Sequence, residues 1–190
     1  SYTSGSAPAA PANDDCANAI SISAYSGSVN GTTIGATQSV AAEACGGFTG
    51  NANDDVWYKF TALQNGGASI VLTPNANLDA VLIAYSGTCG SLVNIGCADA
   101  TAGGGLETLT LTNLVGGETY YFRVYGYGGA GSENNFSLSA SGVALPVGFT
   151  DFKAELQNGV SLLSWNTANE INNAGFGIER SANGVNFSNI

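Results

Sequence analysis

The sequence predicts an all-β protein: an antiparallel β-sandwich of jelly-roll type over residues 13–144, then an incomplete second sandwich over 145–190. Three observations predict it. Short β-rich runs recur along the chain, many of them alternating apolar and polar, with Gly and Asn turn signals between them. No segment sustains a helical period. Charge is scarce: 9% of residues are charged and Gly contributes 27 of 190. Strand faces must therefore be built from Thr and Ser, and turns from residues that tolerate positive φ.

Residues 1–12 (SYTSGSAPAAPA) show no periodicity and read as a tail, linker or mature N-terminus. The first strand-like runs are 17–22 and 28–37. In the run from Asp55 to Thr61, Val56, Tyr58 and Phe60 share one face, with Trp57 and Lys59 on the other. Residues 68–74 alternate, and 79–87 are apolar enough for a buried strand. In 107–114, Leu109 and Leu111 face one way while Thr108, Thr110 and Thr112 face the other. Runs at 119–127 and 134–142 close the first sandwich. After a boundary at Leu145-Pro146, runs at 148–156, 159–167 and 175–190 are too few to close a second one.

Charge removes whole function classes. Four Lys and Arg against 14 Asp and Glu cannot neutralise a row of phosphates or make a polybasic lipid patch, so neither nucleic acid nor membrane is expected as a partner. With no His, imidazole-based triads and metal sites are excluded. No run is long and apolar enough for a membrane helix. The Gly-rich loops contain no P-loop Lys, and adjacent acids in short turns suit a glycosidase pair poorly, so the chain is not expected to be an enzyme.

Four cysteines, Cys16, Cys45, Cys89 and Cys97, lack zinc spacing and favour two disulfides in an oxidising compartment. Three pairings are open. The short stretch between Cys89 and Cys97 suits a local bridge, leaving Cys16 with Cys45. The acids Asp14, Asp15, Asp54, Asp55 and Asp79, with Asp99 a further candidate, lie near Asn-rich turns and are candidate calcium ligands, because calcium takes carboxylate, amide and carbonyl oxygens. Most aromatics, including Trp57 and Trp165, are expected in the cores. Tyr125 and Tyr127, beside a Gly-rich loop, are expected to be exposed and to bind a partner.

Two resemblances add to this reading. Asn13-Asp14-Asp15-Cys16-Ala17-Asn18-Ala19-Ile20, Asp54 to Phe60, Leu78 to Leu82, Tyr85 to Cys89 and Ile95 to Asp99 together resemble the secreted bacterial pre-peptidase C-terminal-like module, over about 13–141. That resemblance implies a noncatalytic β-sandwich attached to secreted hydrolases or adhesins, and makes a calcium site relevant. Leu145-Pro146-Val147, Phe149 to Phe152, Leu163 to Glu170, Asn172-Asn173 and Phe176 to Ser181 resemble the fibronectin-like domain of type IX secretion cargo, here cut short at 190. The expected function is a noncatalytic module, secreted or at the outer cell surface, that binds a surface glycan or a protein ligand in adhesion. Two other readings are a surface-filament subunit, with copies of the chain completing one another's half-built sheets, and the accessory region of a secreted hydrolase.

Overall fold

The computed structural model describes residues 7–23, 27–63, 65–75, 77–128, 132–142, 149–168 and 175–190. The chain divides into two units, Ser1–Val143 and Ala144–Ile190. The sequence-predicted boundary at Leu145-Pro146 lies outside the described residues, as do 1–6 of the predicted tail and the stretch Asn169 to Asn173.

The first unit opens with one 3₁₀ turn, Cys16–Asn18, and continues with β1 (Ile20–Ser21), β2 (Gly27–Thr32), β3 (Ala44–Cys45), β4 (Phe48–Thr49), β5 (Val56–Thr61) and β6 (Gly66–Pro74). It then runs through β7 (Ala80–Thr88), β8 (Ser91–Ala98), β9 (Glu107–Leu114), β10 (Thr119–Gly126) and β11 (Asn135–Gly142). One sheet has the order β1-β5-β10-β7-β8 and the other β2-β11-β6-β9, while β3 and β4 form a small separate hairpin. From β5 onward the chain passes repeatedly between the two sheets, as a jelly-roll-like sandwich requires. One pairing departs from the antiparallel expectation: β1 runs parallel to β5, with Ile20 opposite Tyr58 and Ser21 opposite Lys59.

The alternation in the sequence sets which faces meet. Val56, Tyr58 and Phe60 enter the inter-sheet core with Ile70, Leu72, Leu82, Phe122 and Leu138. Leu109 and Leu111 point into it, and their threonine neighbours face solvent. The outer face of β5 and its neighbours is also covered. Trp57, Val81, Ile83, Tyr85 and Tyr125 form a second buried cluster with Cys16 and Cys45. Residues 7–12 have no regular structure, yet Pro8 and Ala9 lie against Gly35, whose positive φ and close backbone approach leave no room for a side chain.

The disulfides are Cys16–Cys89 and Cys45–Cys97, with Cα separations of 5.6 and 5.8 Å. This overturns the local Cys89–Cys97 bridge. The residues between those two cysteines are not a loop. Thr88 pairs with Ser91 across a tight hairpin, and Cys97 lies far up β8 opposite Ile83. A strand from 91 to 97 covers roughly 20 Å, well beyond the Cα separation of about 7 Å that a disulfide tolerates.

The second unit consists of two ribbons: β12 (Phe149–Gln157) with β13 (Val160–Thr167), and β14 (Glu179–Ser181) with β15 (Phe187–Asn189). Trp165 is half-buried, not enclosed as a core tryptophan. It meets Phe176 edge-on at 5.4 Å, and Phe149 lies 5.7 Å from the same Phe176 ring.

Non-reducing peptide mapping with cleavage at Tyr25, Phe60 and Leu92 should join the Cys16 fragment to Cys89 and the Cys45 fragment to Cys97. A Cys89–Cys97 link would contradict the fold. Because Cys16 and Cys89 are 73 residues apart, replacing both by Ala should cost about 4 kcal/mol by loop-closure entropy, read as a fall in Tm.

Candidate functional site

The antiparallel order brings several strand ends to one rim of the five-stranded sheet. β5 and β7 begin there, while β8 and β10 end there. The registers Val124 opposite Val56, Gly126 opposite Ala80, and Leu82 opposite Ala98 align these ends. Asp54 and Asp55, Asp79, Asp99 and Tyr127 therefore share that rim, although they lie far apart in sequence.

Behind the rim is a buried ion pair. Arg123, in the middle of β10, is fully buried, and its Nε donates to Asp55 Oδ2 at 2.5 Å. Its other nitrogens donate to the carbonyls of Val40 and Ala41. The guanidinium lies 5.8 Å from the Trp57 ring centre and 5.0 Å from that of Tyr125. Asp55 also accepts from the Ser39 backbone N–H and hydroxyl, both at 2.8 Å, and Trp57 Nε1 donates to the same hydroxyl. Tyr125 is thus fully buried, which corrects its expected role as an exposed partner-binding ring. The guanidinium occupies one face of it, and burial pushes its hydroxyl pKa up to about 12.

The other acids separate. Asp14 accepts from the Thr37 backbone N–H and hydroxyl, both at 2.6 Å, and so pins the 37–39 segment. Asp15 is exposed. Asp54 is buried and accepts from the Gly126 N–H at 3.1 Å. A Cβ on Gly126 would come within 2.9 Å of that carboxylate, so glycine allows the approach. Burial raises the Asp54 pKa to about 6, with the nearby Glu133 carboxylate adding to the shift. Among the described residues, no three acids converge into a group that could hold a metal. Asp14, Asp15, Asp54, Asp55 and Asp79 therefore do not form one ligand set.

Asp79 and Asp99 instead line a groove of about 300 Å³ with Phe48, Ala100, Thr101, Ala102 and Tyr127. Each wall has an identifiable cause. Cys45–Cys97 ties the β3–β4 hairpin to the end of β8, two residues before Asp99, and holds the exposed Phe48 ring at the groove. Tyr127 N–H donates to the Asp79 carbonyl at 2.7 Å, and the Tyr127 carbonyl accepts from Asn51 N–H at 3.0 Å. Glu107, buried, accepts from the N–H groups of Ala100 and Thr101 and from the Thr101 hydroxyl, which shapes the 99–102 segment. Burial raises the Asp99 pKa, and the carboxylates of Asp79 and Glu107 raise it further. Two larger grooves, of about 540 and 500 Å³, each carry a single acid or cation among Ser, Thr and apolar residues and lack this convergence of rings and carboxylates.

Phe48 was not singled out from sequence. An aromatic isolated in Cys45-Gly46-Gly47-Phe48-Thr49-Gly50 is the available signal, since the glycines make a tight turn and place the ring directly after it, opposite Cys45. Arg123 was equally legible in principle: a lone cation inside the apolar run Tyr120-Tyr121-Phe122-Arg123-Val124-Tyr125 demands a buried acid.

The first unit is thus a disulfide-stapled β-sandwich with a small groove on one rim. A family model described as galactose-binding domain-like, and associated with type IX secretion, matches residues 12–138. The chain belongs to this family, and the family together with the two disulfides marks a secreted protein of an oxidising compartment. No helix among the described residues is long and apolar enough to cross a membrane. No curated protein matches the chain. Among solved structures, it is similar to the pre-peptidase C-terminal domain of collagenase from Bacillus anthracis, at 15% identity and TM-score 0.44, covering 64% of this chain and 93% of that one. It is also similar to PliG, a periplasmic inhibitor of g-type lysozyme from Aeromonas hydrophila, at 17% identity and TM-score 0.40, covering 65% of this chain and 96% of that one.

Arg123→Met should cost about 3–5 kcal/mol, because Asp55 would stay buried without its counter-charge. Urea unfolding checks this, and a loss below about 1 kcal/mol, the scale of an exposed pair, would show that the pair is solvated. Asp54 gives a pH signature. Its carboxyl is raised from 3.8 to about 6 in the folded state, so the folded chain binds the proton more tightly than the unfolded one. The destabilisation is absent below pH 3.8 and complete above about pH 6. Asp54→Asn, which keeps an acceptor for Gly126 N–H, should gain stability relative to the parent as pH rises through that window, on the order of 3 kcal/mol. Parallel denaturation curves at each pH measure it.

Proposed function

We propose that the first unit is a noncatalytic carbohydrate-binding module of a secreted, outer-surface protein, and that the rim groove holds the sugar. The observation that carries this reading is the convergence of Phe48, Tyr127, Asp79 and Asp99 on one groove of about 300 Å³. An exposed ring offers an apolar face to the C–H face of a pyranose. Two carboxylates accept hydrogen bonds from vicinal hydroxyls, and charge-assisted bonds of this kind are roughly twice as strong as neutral ones. The Thr101 hydroxyl, fixed by Glu107, adds a further polar group. The groove is preorganised, since Glu107, the Asp79–Tyr127 backbone bond and Cys45–Cys97 hold its walls before any ligand arrives. The family description points to galactose as the first sugar to try.

Calorimetric titration of the whole chain with galactose-containing and other hexose oligosaccharides tests this. Phe48→Ala and Asp79→Asn should each weaken binding about tenfold, or ~1.4 kcal/mol, with unfolding curves unchanged. If no hexose oligosaccharide binds, or if both variants bind like the parent, the groove is not the sugar site.

A further inference from the structure

The sequence holds four Asn-Gly pairs, at Asn30-Gly31, Asn65-Gly66, Asn158-Gly159 and Asn183-Gly184. Each has the local chemistry for self-modification: the backbone nitrogen of a glycine, unhindered by a side chain, beside an asparagine amide. Reaction requires that nitrogen to reach Cγ of the asparagine, so both groups must be free to move. The structure treats the four pairs very differently.

Asn30 and Gly31 are held in β2, paired with Ser137 and Phe136 of β11. Gly31 is also closed over by the Tyr58 and Phe136 rings, with a Cβ position 2.0 Å from Tyr58 Oη. Asn65 uses its Oδ1 to accept from Gly116 N–H at 2.8 Å, and Gly66 is paired with Leu114. At Asn183, Oδ1 accepts from the N–H groups of Val185 and Asn186, each at 2.9 Å. Its nucleophile is engaged too, because Gly184 N–H donates to Ser181 Oγ at 2.9 Å.

Asn158-Gly159 is the exception. It is the two-residue turn between β12 and β13, flanked by the pair Gln157 and Val160, with φ of 52° and 82° as a primed hairpin turn requires. Both residues are exposed, and nothing lies within 4 Å of the Cβ position on Gly159. Among the described residues, neither the Asn158 amide nor the Gly159 N–H has a hydrogen-bond partner.

We infer that Asn158 is a spontaneous deamidation site, the fastest of the four in the folded chain. Gly159 N, on losing its proton, attacks Asn158 Cγ. The Cγ–Nδ2 bond breaks, ammonia leaves, and a five-membered succinimide forms. Water then opens the ring at either carbonyl, yielding aspartate or isoaspartate, with no oxidant or other reagent. Both products place a new carboxylate at the hairpin tip. Isoaspartate also routes the main chain through Cβ. A two-residue primed turn cannot absorb the extra main-chain atom, so the register of β12 on β13 loosens with the age of the molecule.

The test is incubation of the whole chain at mildly alkaline pH, followed by peptide mapping with fragmentation that distinguishes aspartate from isoaspartate. Conversion at residue 158 should run several-fold ahead of 30, 65 and 183, and the four rates should converge in urea. Ser181→Ala, which releases Gly184 N–H, should accelerate conversion at Asn183 and leave Asn158 unchanged. Native rates at 30, 65 or 183 equal to that at 158 would overturn the inference. So would a Ser181→Ala variant with no gain at 183.

Discussion

The Arg123–Asp55 pair is the constraint on which the outer half of the first unit depends. A guanidinium in the middle of a buried strand has no water to turn to. Its N–H donors need acceptors, and one on each nitrogen finds one: Nε in Asp55, the other two in the carbonyls of Ala41 and Val40. Satisfying them draws the 39–45 segment across the outer face of the five-stranded sheet. That face would otherwise expose Trp57, Val81, Ile83, Tyr85 and Tyr125. Covered, it becomes a second core. The same segment then sets Glu43 to accept from Tyr85 Oη at 2.7 Å and Asn94 Nδ2 at 2.9 Å, and delivers Cys45 to Cys97. The groove-lining Phe48 is three residues further on. A buried pair of this kind need not add net stability over an apolar replacement. Its effect here is placement, since few routes of the 39–45 segment leave neither charge unpaired.

The scarcity of charge takes on a sharper meaning in this light. Of the four cations in the chain, one is spent inside the fold, and Lys153 pairs with its near neighbour Asp151 at 3.0 Å. Acids dominate what is left, and several of them do structural work: Asp14 pins Thr37, Asp54 holds Gly126, and Glu107 shapes the 99–102 segment. The acids on the groove, Asp79 and Asp99, have no cation among its lining residues. That leaves their oxygens available to a ligand that brings hydroxyl donors.

The two units contrast in how far they bury their apolar residues. In the first, both faces of the five-stranded sheet are covered. In the second, Phe149, Phe152, Leu156, Val160 and Leu162 of the β12–β13 ribbon are exposed. Such a ribbon owes its register to its turn more than to packing, because a two-stranded hairpin has little core of its own. The chemistry of the Asn158-Gly159 turn therefore matters more there than an Asn-Gly pair would in a packed strand.

Much of the fold was legible in the sequence because it is local. Alternation at Val56-Trp57-Tyr58 and at Leu109-Thr110-Leu111 specified strands and their inward faces, since the side-chain period of a strand is fixed at two. Composition and cysteine count specified a secreted, disulfide-bonded all-β class. The candidate site was legible only in its residues: the sequence marks Asp79 and Asp99 as calcium candidates and Tyr127 as a partner-binding ring, and it marks neither Phe48 nor Glu107. What tertiary structure alone decided is whatever depends on which distant segments meet. The outward face of β5 became a second core, Tyr125 was buried under Arg123, and Cys89 and Cys97 were separated by a strand that reads as a loop. The physical reason is the same in each case. A periodic pattern says which side of a strand a residue takes, but what covers that side is settled by long-range partners. Here the partner that settled most was Asp55, which a single buried arginine required.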